Sequence, residues 1–148
     1  MAQQVPVDAT AQIETPLGAD GTHTITEDLV YQRHAIVNVI FHGPPGAGDR
    51  GWTLIDAGIM GSKSAIRKVA EQRFGPNARP AAIVLTHGHF DHVGVVEDLA
   101  REWDVPVWAH PLERPYLDGS AAYPPPDPSV GGGLMARLSP LYPLAPVD

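Results

Sequence analysis

Four side chains able to bind a metal ion fall within the seven-residue stretch Thr86-His87-Gly88-His89-Phe90-Asp91-His92. Imidazole nitrogen and carboxylate oxygen are ordinary ligands of zinc and of similar divalent ions. The spacing matters as much as the residue types. His87 and His89 stand two apart, so in an extended segment both point the same way. Asp91 and His92 are adjacent and cannot share that direction. The pattern therefore pairs two histidines on one ion and an aspartate with a histidine on a second. Two-metal hydrolytic sites hold their ions roughly 3.5–4 Å apart. Such ions lower the pKa of bound water towards about 7 and polarise a carbonyl or phosphoryl group for its attack.

The neighbouring residues provide elements that position this stretch. Ala81–Leu85 is an uninterrupted apolar run after Pro80, and it reads as a strand buried on both faces. Residues 93–101 have helical spacing, with Val93, Val96, Leu99 and Ala100 on one side and Glu97, Asp98 and Arg101 on the other. The motif is thus a loop leaving the C-terminal edge of a sheet, where open α/β sheets place their sites. Upstream, Ala35–Phe41 reads as a strand rich in β-branched residues, and Trp52–Ile55 as a second. The Gly/Pro-rich residues 42–51 join them. Asp56 closes the second strand, where it either serves a site or caps the turn before a helix. That helix carries the stripe Ile66, Val69, Ala70 and Phe74, begins at a Ser62 or Ser64 cap, and stops at Gly75-Pro76. Val105–Ala109 is a fourth strand, whose Pro106 suits an edge or a strand start. His23, His34, His42 and His110 read as surface or strand-terminal residues.

Thr-His-x-His-x-Asp-His after a hydrophobic strand resembles the metallo-β-lactamase-fold hydrolases. A strand ending in Leu54-Ile55-Asp56-x-Gly58 matches that family's first motif. The resemblance implies an α/β fold that is half of a four-layer αββα sandwich, a mixed sheet with helices on one face. It implies metal ligands His87, His89, Asp91 and His92, with Asp91 also assigned to catalysis. Asp56 is implied to stand behind the ligands and orient an imidazole. Zinc is the expected ion, one or two per chain, with iron or manganese also compatible. The implied reaction is hydrolysis of an ester, thioester, lactone or related acyl bond of a small molecule. Phosphodiester hydrolysis is an alternative within the same chemistry.

The resemblance covers residues 29–118 and implies ligands from a second half that do not follow in this sequence. The chain is therefore expected to be the N-terminal half of such a domain and inactive alone. It would be completed by a C-terminal half or by self-association through an exposed apolar sheet face. The alternative is a non-catalytic metal-binding half-domain that assembles with a partner chain. Residues 1–28 read as a polar segment with short edge strands, Ala11–Glu14 and His23–Ile25. Residues 119–148 hold seven prolines and Gly131-Gly132-Gly133, which exclude regular strands or a long helix. They read as a connector, or as a lid whose substrate contacts would be Tyr123, Leu134 and Met135.

The bulk properties set bounds on function. The 148 residues suit one domain. A net charge of −7 without any basic run argues against a nucleic-acid surface. The absence of cysteine excludes disulfides and thiolate ligands. No apolar run approaches the roughly 20 residues of a membrane span, and the N-terminus lacks signal-peptide features, so a cytoplasmic location is expected.

Overall fold

The structure, a computed structural model, describes residues 17–124. The expected strand Ala11–Glu14 and the expected contacts Leu134 and Met135 lie outside the described residues. Within them the order is β1 (His23–Thr26), β2 (Leu29–His34), β3 (Val37–His42), β4 (Thr53–Ile55), α1 (Lys63–Phe74), β5 (Ala82–Val84), α2 (Phe90–Val93), α3 (Val96–Trp103) and β6 (Val107–Trp108). A 3-10 turn, Pro111–Glu113, and the short helix α4, Arg114–Leu117, follow.

The six strands form one mixed sheet in chain order. β1 to β4 run antiparallel, while β4, β5 and β6 are parallel and joined through helices. The register aligns Phe41, Leu54, Ile83 and Val107 in one row across four strands. That row meets Ile66, Val69, Ala70 and Phe74 of α1 and Val96, Leu99 and Trp103 of α3 in a single core. Trp52 lies at its centre, stacked on Phe74 at 4.4 Å and edge-on to Trp103 at 5.8 Å. Aromatic pairs of this kind add roughly 0.5–1.5 kcal/mol beyond the area they bury. The helices thus cover one face of a mixed sheet, as expected. The row on the other face, Ile40, Ile55, Val84 and Trp108, takes no part in that core.

Several boundaries differ from expectation. β5 is not buried on both faces: Ile83 is fully covered, but Ala82 and Val84 are only half-buried. The strand expected to begin at Ala35 begins at Val37, because Ala35 has φ +54° and forms the turn of a hairpin. That hairpin's first arm, β2, goes unrecognised in the sequence, since Gln32, Arg33 and His34 mask the alternation of Val30 with its neighbours. The helix expected over residues 93–101 is two helices. Gly94 N–H donates to Gly58 O at 2.8 Å instead of continuing the helical ladder. Ser62 does precede α1, but its side chain makes no capping hydrogen bond.

The other end of α1 is satisfied by the β3–β4 loop. Gly46 N–H donates to Arg73 O and Gly48 N–H to Phe74 O, at 2.8 and 3.0 Å. The last carbonyls of a helix have no partner within it, so the loop supplies one. No described helix is long and apolar enough to cross a membrane.

Candidate metal centre

Asp56 and the histidine motif arise 30 residues apart and meet at the adjacent C-terminal ends of the parallel strands β4 and β5. Three backbone hydrogen bonds join the two segments. Asp56 N–H donates to Val84 O at 2.9 Å, Ala57 N–H to His92 O at 2.7 Å, and Gly94 N–H to Gly58 O at 2.8 Å. Asp56 itself takes φ +62°, a left-handed conformation that aspartate tolerates better than most residues. Its side chain is buried and does not cap α1.

Instead the Asp56 carboxylate accepts four contacts from the motif. Oδ1 accepts from Thr86 N–H at 2.8 Å and lies 3.0 Å from Thr86 Oγ1. Oδ2 is 2.8 Å from Thr86 Oγ1 and 2.8 Å from His92 Nδ1. A carboxylate only accepts, so both partners must donate. His92 therefore carries its hydrogen on Nδ1, which leaves the Nε2 lone pair free. Thr86 has a single hydroxyl hydrogen, and it goes to Asp56. Thr86 Oγ1 then has only lone pairs to offer His87 Nδ1 at 3.0 Å. His87 must also carry its hydrogen on Nδ1. One buried carboxylate, acting directly and through one hydroxyl, thus turns the Nε2 lone pairs of two imidazoles outward.

The side chains singled out by sequence lie together. The His87 ring is 4.7 Å from that of His89 and 3.9 Å from that of His92. His92 Nε2 lies 3.7 Å from Asp91 Oδ2. Burial and the neighbouring rings of His92 and His89 push the His87 pKa down, which keeps it neutral and able to ligate. Burial also pushes His92 down, but the bond to Asp56 and the charges of Asp56 and Asp91 outweigh it and leave the net shift upward. Protonation of Nε2 therefore competes with a metal ion for His92. The donor chemistry fits a divalent ion with N/O ligands. Among the described residues, however, no three such side chains gather on one point. A catalytic zinc usually has three protein ligands and a water.

Tyr123, expected as a lid contact, stands against the motif with its ring 4.1 Å from that of His89. Burial, then a hydrogen bond to Glu113, pushes its hydroxyl up to about 12. The other histidines stand elsewhere. His42 is near Asp28 at 3.7 Å, His34 meets Gln32 at 2.9 Å, and His110 accepts from Leu112 N–H at 3.2 Å. Thr86 opens the motif but has no role assigned from the sequence, and neither has Glu113.

A family profile described as the metallo-beta-lactamase superfamily matches residues 34–147. The chain is 43% identical over 130 residues to the probable metallo-hydrolase YflN of Bacillus subtilis, covering 88% of this chain and 46% of that protein. It is 40% identical over 58 residues to the probable metallo-hydrolase YqgX of the same organism, covering 39% of this chain and 24% of that protein. In fold it is similar to BJP-1, a subclass B3 metallo-beta-lactamase of Bradyrhizobium japonicum. The TM-score there is 0.59 at 20% identity, over 95% of this chain and 47% of that one. The chain thus spans half or less of the length of these relatives.

Proposed function

The chain belongs to the metallo-β-lactamase superfamily, and from that premise we propose that it carries the metal-binding half of a metal-dependent hydrolase of small acyl substrates. The carrying observation is the pair of outward lone pairs on His87 and His92, set by Asp56 beside His89 and Asp91. His87 and His89 would hold one divalent ion, zinc in the first instance. Asp91 and His92 would hold a second, with Asp91 the residue assigned to catalysis. A bound ion supplies a water of lowered pKa and polarises the bond to be cleaved. Asp56 orients His92 directly and His87 through Thr86. Esters, thioesters and lactones are the substrate class, and the complete enzyme's activity would need ligands beyond these four.

The test is elemental analysis of chain purified without chelator, beside the His87→Ala/His89→Ala variant. Wild type is expected to hold roughly one to two ions per chain, and the variant to lose most of them. Equal metal content in the two would refute the reading.

A second reading is favoured because no three ligand-type side chains gather on one point among the described residues. In it the chain binds metal without turnover and assembles with a partner chain or a second copy. Esterase and lactonase assays with added zinc separate the two. Turnover by the chain alone that vanishes in Asp91→Ala excludes the second reading.

A further inference from the structure

The segment after β6 closes back over the histidine loop. Gly88, between His87 and His89, donates its N–H to Tyr123 Oη at 2.7 Å and to Glu113 Oε2 at 3.2 Å. Tyr123 O–H in turn donates to Glu113 Oε2. The Tyr123 ring lies 4.1 Å from the His89 ring and 4.0 Å from that of Tyr116, the latter nearly parallel at 12°. A Cβ added at Gly88 would lie 2.9 Å from Leu117 Cδ2 and 3.2 Å from Tyr123 Oη.

The Tyr123 phenol has one hydrogen, which goes to a carboxylate that only accepts. One of its lone pairs receives the Gly88 amide. The hydroxyl is therefore committed to holding the loop, and it has no hydrogen left for a substrate. The ring next to His89 limits the planes that imidazole can adopt. His87 and His92 are oriented by Asp56, through Thr86 and directly, but no described bond from Asp56 reaches His89.

We propose that Glu113 and Tyr123 form a clamp that positions His89, complementing the orientation that Asp56 gives His87 and His92. Both act as positioning residues, through the Gly88 amide and the ring contact, and neither touches substrate. The inference rests on the metal-binding reading above. Partners that orient a ligating histidine from behind typically change metal affinity 10–100-fold when removed.

The test uses the whole chain with Tyr123→Phe and Glu113→Gln. Neither residue belongs to the hydrophobic core, so both variants should melt cooperatively. In metal-free protein the Gly88 amide is expected to exchange with solvent at least about 10-fold faster in each variant than in wild type. With cobalt as probe, the dissociation constant is expected to rise about 10–100-fold and the visible bands to shift. Unchanged Gly88 exchange in both variants overturns the clamp. Altered exchange with unchanged cobalt spectrum and affinity overturns its role in setting His89. Wild type that takes up no cobalt overturns that role together with the metal reading, while its Gly88 exchange still reports on the clamp.

Discussion

Gly94→Ala is expected to lower the stability of the metal-free chain by about 2–4 kcal/mol and its melting temperature by roughly 6–12 °C. The expectation runs against local propensity. Gly94 has φ −54° and ψ −29°, an ordinary helical conformation. In a solvated helix the change to alanine would gain about 1 kcal/mol. The site does not allow that gain. A Cβ at Gly94 would stand 2.5 Å from Ile59 C and 2.6 Å from both Gly58 O and Met60 N. All three atoms are backbone, so no rotamer change relieves the contact. The β4–α1 segment must move away from α2, which breaks the Gly94 to Gly58 hydrogen bond and strains the Ala57 to His92 bond. Overpacking of this kind costs roughly 1–3 kcal/mol, and each lost hydrogen bond about 1 more. Gly48→Ala is the control. It has open space but φ +74°, so its cost should be only the backbone strain of about 1–2 kcal/mol. A Gly94→Ala melt within about 2 °C of wild type, less than 1 kcal/mol of change, would refute the close approach.

That close approach also marks where the sequence stops being informative. The motif loop, the helix Lys63–Phe74 and its four buried residues follow from ligand types and from a 3.6-residue apolar period. Those are local signals. The break between α2 and α3 is not local, because Val93, Val96 and Leu99 keep helical spacing straight across it. Only the backbone of Gly58 to Met60, more than 30 residues upstream, forces the interruption. The same holds for the site. The ligand-type residues lie close together in sequence and are visible there. Their supports come from elsewhere: Asp56 from β4, and Glu113 and Tyr123 from beyond β6. For Asp56, its place at a strand end leaves a site role and a turn cap both open, and the family motif decides for the site. Thr86 is part of the motif but its role is not readable there, and Glu113 carries no pattern of its own. β2 is hidden for a related reason. Its polar residues Gln32 and Arg33 are tolerated near the antiparallel end of the sheet, where one face is not covered by helices.

Asp56 offers a test in which fold and site respond differently to two substitutions. Asp56→Ala removes the acceptor of Thr86 N–H, Thr86 O–H and His92 Nδ1–H at once. Removing one partner of a buried ion pair costs about 3–5 kcal/mol, and that is the loss expected in metal-free protein. The loss should depend on pH. The folded pKa of His92 is raised, chiefly by Asp56 against the opposing effect of burial. A raised pKa contributes stability that is fully present below the unfolded value, about 6.5, and is lost as pH rises through the folded value. Denaturant melts should therefore show Asp56→Ala costing more on the acid side of that window than on the alkaline side. Asp56→Asn keeps the shape and one acceptor oxygen, so it should retain most of the stability. Its amide nitrogen, however, donates where the carboxylate accepted. With the oxygen on Thr86 N–H, that nitrogen faces His92 Nδ1, which must then accept, and the ring hydrogen moves to Nε2. The lone pair meant for the metal is lost from the outward side of the ring. Asp56→Asn should thus melt near wild type yet bind zinc about 10–100-fold more weakly. Nitrogen-15 shifts of the His92 ring would report the tautomer directly. A variant that binds zinc as tightly as wild type, or whose ring keeps its hydrogen on Nδ1, would break the link drawn here from a buried carboxylate to the direction of a metal-binding lone pair.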